Sequence, residues 1–487
     1  MTLTCIACLI CGLALQALDP AAAARVEARL KEFAQERRIP GIAAAVGAHG
    51  EVAWSAAIGV KDLESGAPVT ATTVFPLGST SKPLTSLLLG QLVEQGKLDL
   101  DAPVQTYVPY FPPKDHPITV RQLAGHLSGI RDYNRAAGEY DNTRRFERVR
   151  DAVAVFASDP LLFQPGTRHA YSAYNFVLLS AALEGASGQD YLSLLRDRLT
   201  VPLGLQRTGP NLPPQPDLVS SYAVGMMGRI VSINPGDASN KWAAGGLVST
   251  PLEMVRLGNA VLAGKVVSPA TFELLTTPQK LADGSDSGAG YGLGWRRGSR
   301  TLPDGRVVPV VHHGGTAPGA MSFFAIYPTE NLVVSLQGNL LFEPFTAFSQ
   351  EAFRIAESVL AARRSNYAGT ARVGEFLAQF ERAYRAGDRA WIESAVDRPG
   401  AQHPLMPAYL GLLGPKEGGE SITNLAVVAA PAGYRLPNSV TQEKLEPSIP
   451  VDFLIRFTRM VGQVETTVTV PAGYRDGTIW MAGFKNG

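Results

Sequence analysis

The chain has 487 residues, too many for one ordinary core, so two domains or one large domain with an appendage is expected. Hydrophobic residues make up 45% and charged residues 18%, a globular composition that excludes a disordered chain. Lys plus Arg total 44 against 43 for Asp plus Glu, and no basic run stands out, so nucleic acid is excluded as an expected partner.

Residues 2–18, TLTCIACLICGLALQAL, carry no charge. The run is shorter than the roughly 20 residues that a spanning helix needs. It reads as an export signal over residues 1–17, cleaved after Ala17, or as an N-terminal hydrophobic anchor. Cys5, Cys8 and Cys11 all lie inside it, so a processed chain has no thiol for disulfides, metal sites or nucleophilic attack. No metal, no other cofactor and no membrane span in the mature chain are expected.

Residues 21–38 read as an amphipathic helix with Val26, Leu30 and Phe33 on one side, stopped by Pro40-Gly41. GIAAAVGAHGEVAWSAAIGV follows, two apolar runs around a turn at His49-Gly50, the pattern of a β-hairpin. PLTSLLLGQLVEQGKLDL is a helix with Leu84, Leu87, Leu88 and Leu92 apolar and Gly96 at its end. A long mixed region with short helices comes next. Strand-like runs return near 307–338, VVPVVHHGG and SFFAIYP with NLVVSLQGN. Strands that open and close the region as hairpins around a helical middle imply an α/β (α+β) domain over 21–362, its sheet antiparallel. After a polar, small-residue boundary near 362–372, Phe376, Phe380 and Tyr384 share one helix face, and SITNLAVVAA and VETTVTV read as strands. Residues 373–487 are thus expected to form a small α+β domain.

The chemistry concentrates in LGSTSKPL, residues 77–84. Ser79 stands where the helix begins, at its expected N-cap, with free backbone donors around it. Lys82 follows three residues later and shares its face. Pro83 is tolerated because first-turn N–H groups lack helical partners. Burial favours the neutral amine of a lysine, and a neutral amine beside a hydroxyl can take its proton during attack on a carbonyl. A plain helix cap with a solvated lysine has the same signature. This is the one Ser-x-x-Lys of the chain, with no Gly-x-Ser-x-Gly elbow and no His-Glu-x-x-His motif beside it.

Over residues 25–360 the sequence resembles the serine β-lactamase-like hydrolases, which include class C β-lactamases, D-Ala-D-Ala carboxypeptidases and related esterases. The resemblance rests on PLGSTSKPLTSLLLGQLVEQGKLDL, ITVRQLAGHLSGIRDY, FQPGTRHAYSAYNFVLLSAALEGASGQDY, AAGGLVSTPLEMVRLGNA, YGLGW and HHGGTAPG. VQTYVPYFP, HLSGIRDY and DPLLFQPG look most like the branch that includes a mitochondrial serine β-lactamase-like protein and its bacterial relatives. The family fold is an antiparallel sheet flanked by helices beside a mostly helical region.

The resemblance implies that Tyr171, in the YSA that stands for the family's Tyr-x-Asn, exchanges a proton with Ser79 or the leaving group. The field of Lys82 is expected to favour its phenolate. Ala173 replaces the Asn of that motif, which weakens β-lactam recognition. Asn175 lies two residues on and on a helix points elsewhere. HHGG supplies the third motif, with His312 entering the site and His313 packed or solvent-facing, because strand neighbours alternate. A histidine there gives a switchable charge in place of a fixed ammonium. The oxyanion hole is expected from the N–H groups of Ser79 and Gly315. HLSG at 126–129 and AAGGLVST at 243–250 read as scaffold, and Tyr291 and Trp295 as packing residues. The implied function is a metal-independent serine hydrolase forming an acyl-enzyme on esters or peptide-like amides. A true β-lactamase and a catalytically silent binding or assembly module are the alternatives.

Overall fold

The segment GIAAAVGA, Gly41–Ala48 (β1), is buried along its whole length because its small and β-branched side chains admit neighbours on both faces. In the computed structural model it lies inside a six-stranded sheet. The other strands are Glu51–Gly59 (β2), Arg296–Thr301 (β3), Val307–Ala317 (β4), Ala320–Tyr327 (β5) and Leu332–Gly338 (β6). The order is β2-β1-β6-β5-β4-β3, which brings the N-terminal hairpin against the C-terminal strands. Pairing is antiparallel from β2 through to β4, with Ala45 opposite Ser335, Ser335 opposite Phe324, and Phe324 opposite His313. The structure describes residue 18, residues 20–48, 50–212, 215, 217–302, 306–367 and 371–397, and then the strand residues 422–429, 436–437, 444–445, 453–461, 464–475 and 478–482. Residues 1–17, which carry the export reading, and His49 of the expected turn lie outside the described residues.

Helix Pro20–Arg37 (α1) buries Val26, Leu30 and Phe33, the side read from the sequence. The helical middle is built around Ser81–Glu94 (α2), Ala173–Ser187 (α3) and the short Trp242–Gly245 (α4). Leu84, Leu88, Phe176, Val177 and Leu247 join one buried core there. Two further helices, Pro251–Leu262 (α5) and Phe345–Tyr367 (α6), flank the sheet. Phe323 of β5 meets Phe353 of α6, and the next residue, Phe324, meets Gly258 of α5. Strand alternation therefore places the two helices on opposite faces. The fold is mixed α/β with an antiparallel sheet and flanking helices. Among the described residues no helix is long and apolar enough to cross a membrane.

The chain divides into two compact units, Met1–Arg300 with Val308–Ala356, and Thr301–Val307 with Glu357–Gly487. The second holds helix Ala371–Ala386 (α7) and a sheet of Val396–Asp397 (β7), Ile422–Ala429 (β8), Phe453–Val461 (β9), Val464–Arg475 (β10) and Thr478–Ala482 (β11). Its order is β7-β11-β10-β9-β8. On α7, Phe380 and Tyr384 contact one another with ring centres 6.0 Å apart, and Phe376 meets Trp391.

Candidate active site

Ser79 sits in the one-turn 3-10 helix Gly78–Thr80 that runs directly into α2. The N-cap of α2 is Thr80, one residue after the expected position, and its side chain makes no capping bond. Thr80 Oγ1 is instead 2.7 Å from Ser322 Oγ of β5. Gly78 has φ +50°, and a Cβ there would stand 2.4 Å from Thr316 O, so glycine is required where the Ser79 turn abuts β4.

Lys82 is fully buried, and its Nζ lies 3.2 Å from Ser79 Oγ and 2.6 Å from Ala244 O of α4. The helical spacing read from the sequence thus becomes a direct contact. Burial lowers the Lys82 pKa to about 7, against the opposing pull of Asp132. Near neutral pH a large share of this amine is unprotonated. Lys82 Nζ also lies over the Tyr171 ring, 4.8 Å from its centre.

Tyr171 lines the same cavity as Ser79. Although part of its surface stays open, the surrounding protein raises its pKa above the usual phenol range, and a hydrogen bond with Ser79 opposes that only in part. The expectation that Lys82 would favour a phenolate is therefore corrected. Desolvation is the larger effect for both groups, and it leaves a neutral phenol beside a readily neutral amine.

The two histidines of β4 do point to opposite faces, in the opposite phase to the one expected. His313 and Gly315 are buried towards α2, whereas His312, Gly314 and Thr316 are half-buried. The register explains it. His313 stands opposite Phe324 and Gly315 opposite Ser322, and Ser322 Oγ reaches Leu77 O at 2.5 Å beside Ser79. His313 Nε2 is 2.9 Å from Tyr291 Oη and its Nδ1 2.7 Å from Gly314 O. Since a carbonyl only accepts, Nδ1 carries the proton and Nε2 accepts from the phenol. Burial, then the charge of Lys82, holds His313 well below the usual imidazole range. His312 stacks on Phe323 at 5.3 Å and meets Phe353 at 5.4 Å, and this burial lowers its pKa to about 4. Both rings border the cavity, but the one facing the Ser79–Lys82 side is His313. Burial favours the neutral form of both rings near neutral pH, against the switchable charge expected from His312.

Gly315, the expected second oxyanion donor, presses its Cα against the Ser79 turn, where a Cβ would lie 2.0 Å from Leu77 O. Thr316 borders the cavity as well, and its backbone is the one that Gly78 meets. Ala173 is buried, and its N–H donates to Asp132 Oδ1 at 2.8 Å. Asn175 is also buried, bonded to Ser128 Oγ at 2.5 Å and His126 Nδ1 at 3.1 Å, so it does not take the place of the missing amide.

Three residues at the site were given no part in the chemistry from the sequence. His126, read as scaffold, holds φ +58° and stacks its ring 4.2 Å from Tyr171 and 4.7 Å from Tyr291. Its Nδ1 accepts from Ser172 N–H, so Nε2 bears the proton, with no hydrogen-bond partner among the described residues. Tyr291, read as packing, orients His313. Arg296, the residue after YGLGW, borders the cavity and lies over the Tyr291 ring at 5.3 Å. It brings a guanidinium to the cavity wall. Its neighbour Arg297 instead pairs with Glu273, and nothing in the local sequence separates the two. The cavity measures about 290 Å³, and Phe323, Phe345 and Phe353 give it an apolar wall. Among the described residues no three His, Cys, Asp or Glu side chains converge as a metal site.

A serine and a buried lysine one turn apart, a neutral tyrosine, and a strand beside the serine form a serine-hydrolase type of site on a mixed α/β fold. The sequence profile described as Beta-lactamase matches residues 26–355, and the chain belongs to that family. Among curated proteins it is 29% identical over 393 residues to the mitochondrial serine beta-lactamase-like protein LACTB of Homo sapiens, covering 62% of this chain and 71% of that one. It is 34% identical over 208 residues to Esterase EstB of Burkholderia gladioli, covering 39% and 53%. It is 29% identical over 223 residues to the teichoic acid D-alanine hydrolase of Staphylococcus aureus, covering 45% and 54%. Two solved structures share the fold. The D-amino acid amidase from Ochrobactrum anthropi SV3 has a TM-score of 0.59 at 22% identity, over 71% of this chain and 99% of that one. The octameric penicillin-binding protein homologue from Pyrococcus abyssi has a TM-score of 0.58 at 20% identity, over 94% and 97%.

Proposed function

We propose that the protein is a metal-independent serine hydrolase that forms an acyl-enzyme at Ser79 and acts on esters or peptide-like amides. The observation that carries this reading is the buried Lys82 amine, with a pKa of about 7, at 3.2 Å from Ser79 Oγ. As Oγ attacks the carbonyl, neutral Lys82 takes its proton. The N–H of Ser79 and one N–H of the Gly315–Thr316 pair hold the developing oxyanion. Tyr171 passes a proton to the departing alcohol or amine and regains one from the Lys82 ammonium. A water then releases the acid and restores Ser79. His313, fixed by Tyr291, packs behind the reacting groups as a neutral ring, and His126 positions Tyr171.

The names of the relatives, an esterase and a D-alanine hydrolase, support hydrolysis as the reaction class. Ala173 leaves no side-chain amide for an acylamino group, which favours esters and simple peptide bonds over penicillins. Arg296, on the cavity wall, offers a positive charge to a substrate carboxylate, a contact for which His312 was read as less suited than a lysine. The charge-free residues 2–18 favour export, with an N-terminal hydrophobic anchor as the alternative, and the mass of the mature N-terminus checks that point. The main test is labelling with a fluorophosphonate followed by peptide mapping. The adduct is expected on Ser79, with labelling abolished in Ser79→Ala and unaffected by EDTA. An adduct on another residue would remove Ser79 as nucleophile.

A further inference from the structure

A second cavity, of about 690 Å³, opens beside the C-terminal turn of α3 and shares no lining residue with the one at Ser79. Tyr107, Tyr110, Arg145, Arg150, Glu184 and Trp242 are among its walls. Its volume falls within the range of small-molecule sites.

Trp242 is only 6% exposed, yet its indole Nε1 has no hydrogen-bond partner among the described residues. Buried indole N–H groups ordinarily find an acceptor; this one has almost no accessible surface of its own, so it reports on the packing of the cavity wall. Arg145 stands over the same ring at 5.5 Å. Its ion pairs with Glu147 and Asp237 are long, 3.6 and 3.7 Å, beyond hydrogen-bond reach. Arg150 lies over the Tyr110 ring at 4.6 Å. The walls therefore present guanidinium donors to an anionic group.

The same cavity carries carboxylates. Glu184 accepts Tyr191 N–H at 2.9 Å through one oxygen, and Asp190 lies beside it on the lining. A phosphate or nucleotide, with charge of one sign, meets repulsion from Glu147, Glu184 and Asp190. A molecule bearing both signs matches both sets.

We infer that this cavity is a second ligand site, built for a short peptide with a free amine and a free carboxylate. The carboxylate meets Arg145 and Arg150 beside the Trp242 ring, the amine meets Glu184 and Asp190, and an apolar side chain rests on Tyr107 and Tyr110.

The test reads the indole N–H resonance of Trp242 in the full chain labelled with ¹⁵N-tryptophan. It uses Ser79→Ala so that no peptide is consumed, and Trp242→Phe assigns the signal. Titration with the tripeptide Ala-Phe-Ala is expected to shift that resonance saturably. N-acetylated, C-amidated Ala-Phe-Ala, and the parent peptide against Arg145→Gln or Glu184→Gln, are each expected to bind about tenfold more weakly or less tightly still. An unmoved Trp242 resonance at millimolar peptide overturns the proposal. So does equal binding of the capped peptide, or of inorganic phosphate.

Discussion

Lys82 and Lys241 are both buried, with 0% and 5% of their surface exposed, and desolvation lowers their pKa values to about 7 and about 8. Their surroundings differ. Lys82 reaches a serine hydroxyl at the edge of a cavity. Lys241 donates to Tyr140 O and lies over the rings of Tyr133 and Tyr140, at 5.5 and 4.6 Å. No hydroxyl nucleophile is bonded to it among the described residues. A depressed lysine pKa thus marks burial, and only the neighbouring hydroxyl and the room for a substrate turn it into chemistry.

The largest difference between the two lies in acylation. Lys82→Met is expected to slow fluorophosphonate labelling of Ser79 by on the order of a thousandfold, within the usual range for a lost proton acceptor. Lys241→Met is expected to leave labelling within about threefold, since it touches no reacting atom. Comparable losses in both variants, measured by stopped labelling and intact mass, would break the distinction.

Tyr171→Phe comes next, with turnover of a p-nitrophenyl ester falling about a hundredfold as the proton route to the leaving group is lost. The same contrast sharpens on β4. His313→Ala removes the ring that faces Lys82 and is expected to cost about tenfold in kcat, by leaving the Tyr291 hydroxyl unpaired. His312→Ala, on the other face, is expected to act mainly on KM through the cavity wall. Steady-state kinetics of the two variants reads this split directly.

The smallest effect is on stability. An unfolded lysine keeps its proton to about 10.5, while the folded ones release theirs near 7 and 8. Between those limits the unfolded state binds more protons, so stability rises with pH across that window, and the cost of the buried charges is fully present below it. Lys241→Met removes one of the two groups, and the rise in melting temperature from pH 7 to pH 10 is expected to flatten without a change in the pH profile of acylation.

Some of this was legible in the sequence. The approach of Ser79 and Lys82 follows from three-residue spacing at a helix start, and the displacement of Asn175 from helix geometry. The antiparallel sheet followed from apolar runs with hairpin turns at both ends of the region. The face of β4 was not legible. Alternation says that His312 and His313 diverge, but their phase depends on the pairing of Gly315 with Ser322, which is a tertiary fact. Arg296 escaped for the same reason, since only the fold separates it from Arg297. The direction of the Tyr171 shift depends on desolvation, which a sequence does not reveal. His126 looked like scaffold because its role, a ring face against Tyr171, requires neighbours from three segments.

The most direct measurement is the rate of Ser79 acylation by a neutral fluorophosphonate between pH 5 and pH 9. With Lys82 as the proton acceptor, the rate is expected to climb as the amine loses its proton, reach half its maximum near pH 7, and level off above pH 8. In Lys82→Met this titration is expected to disappear along with most of the rate. A flat profile in the parent enzyme, or the same profile and rate in Lys82→Met, would contradict Lys82 as the base.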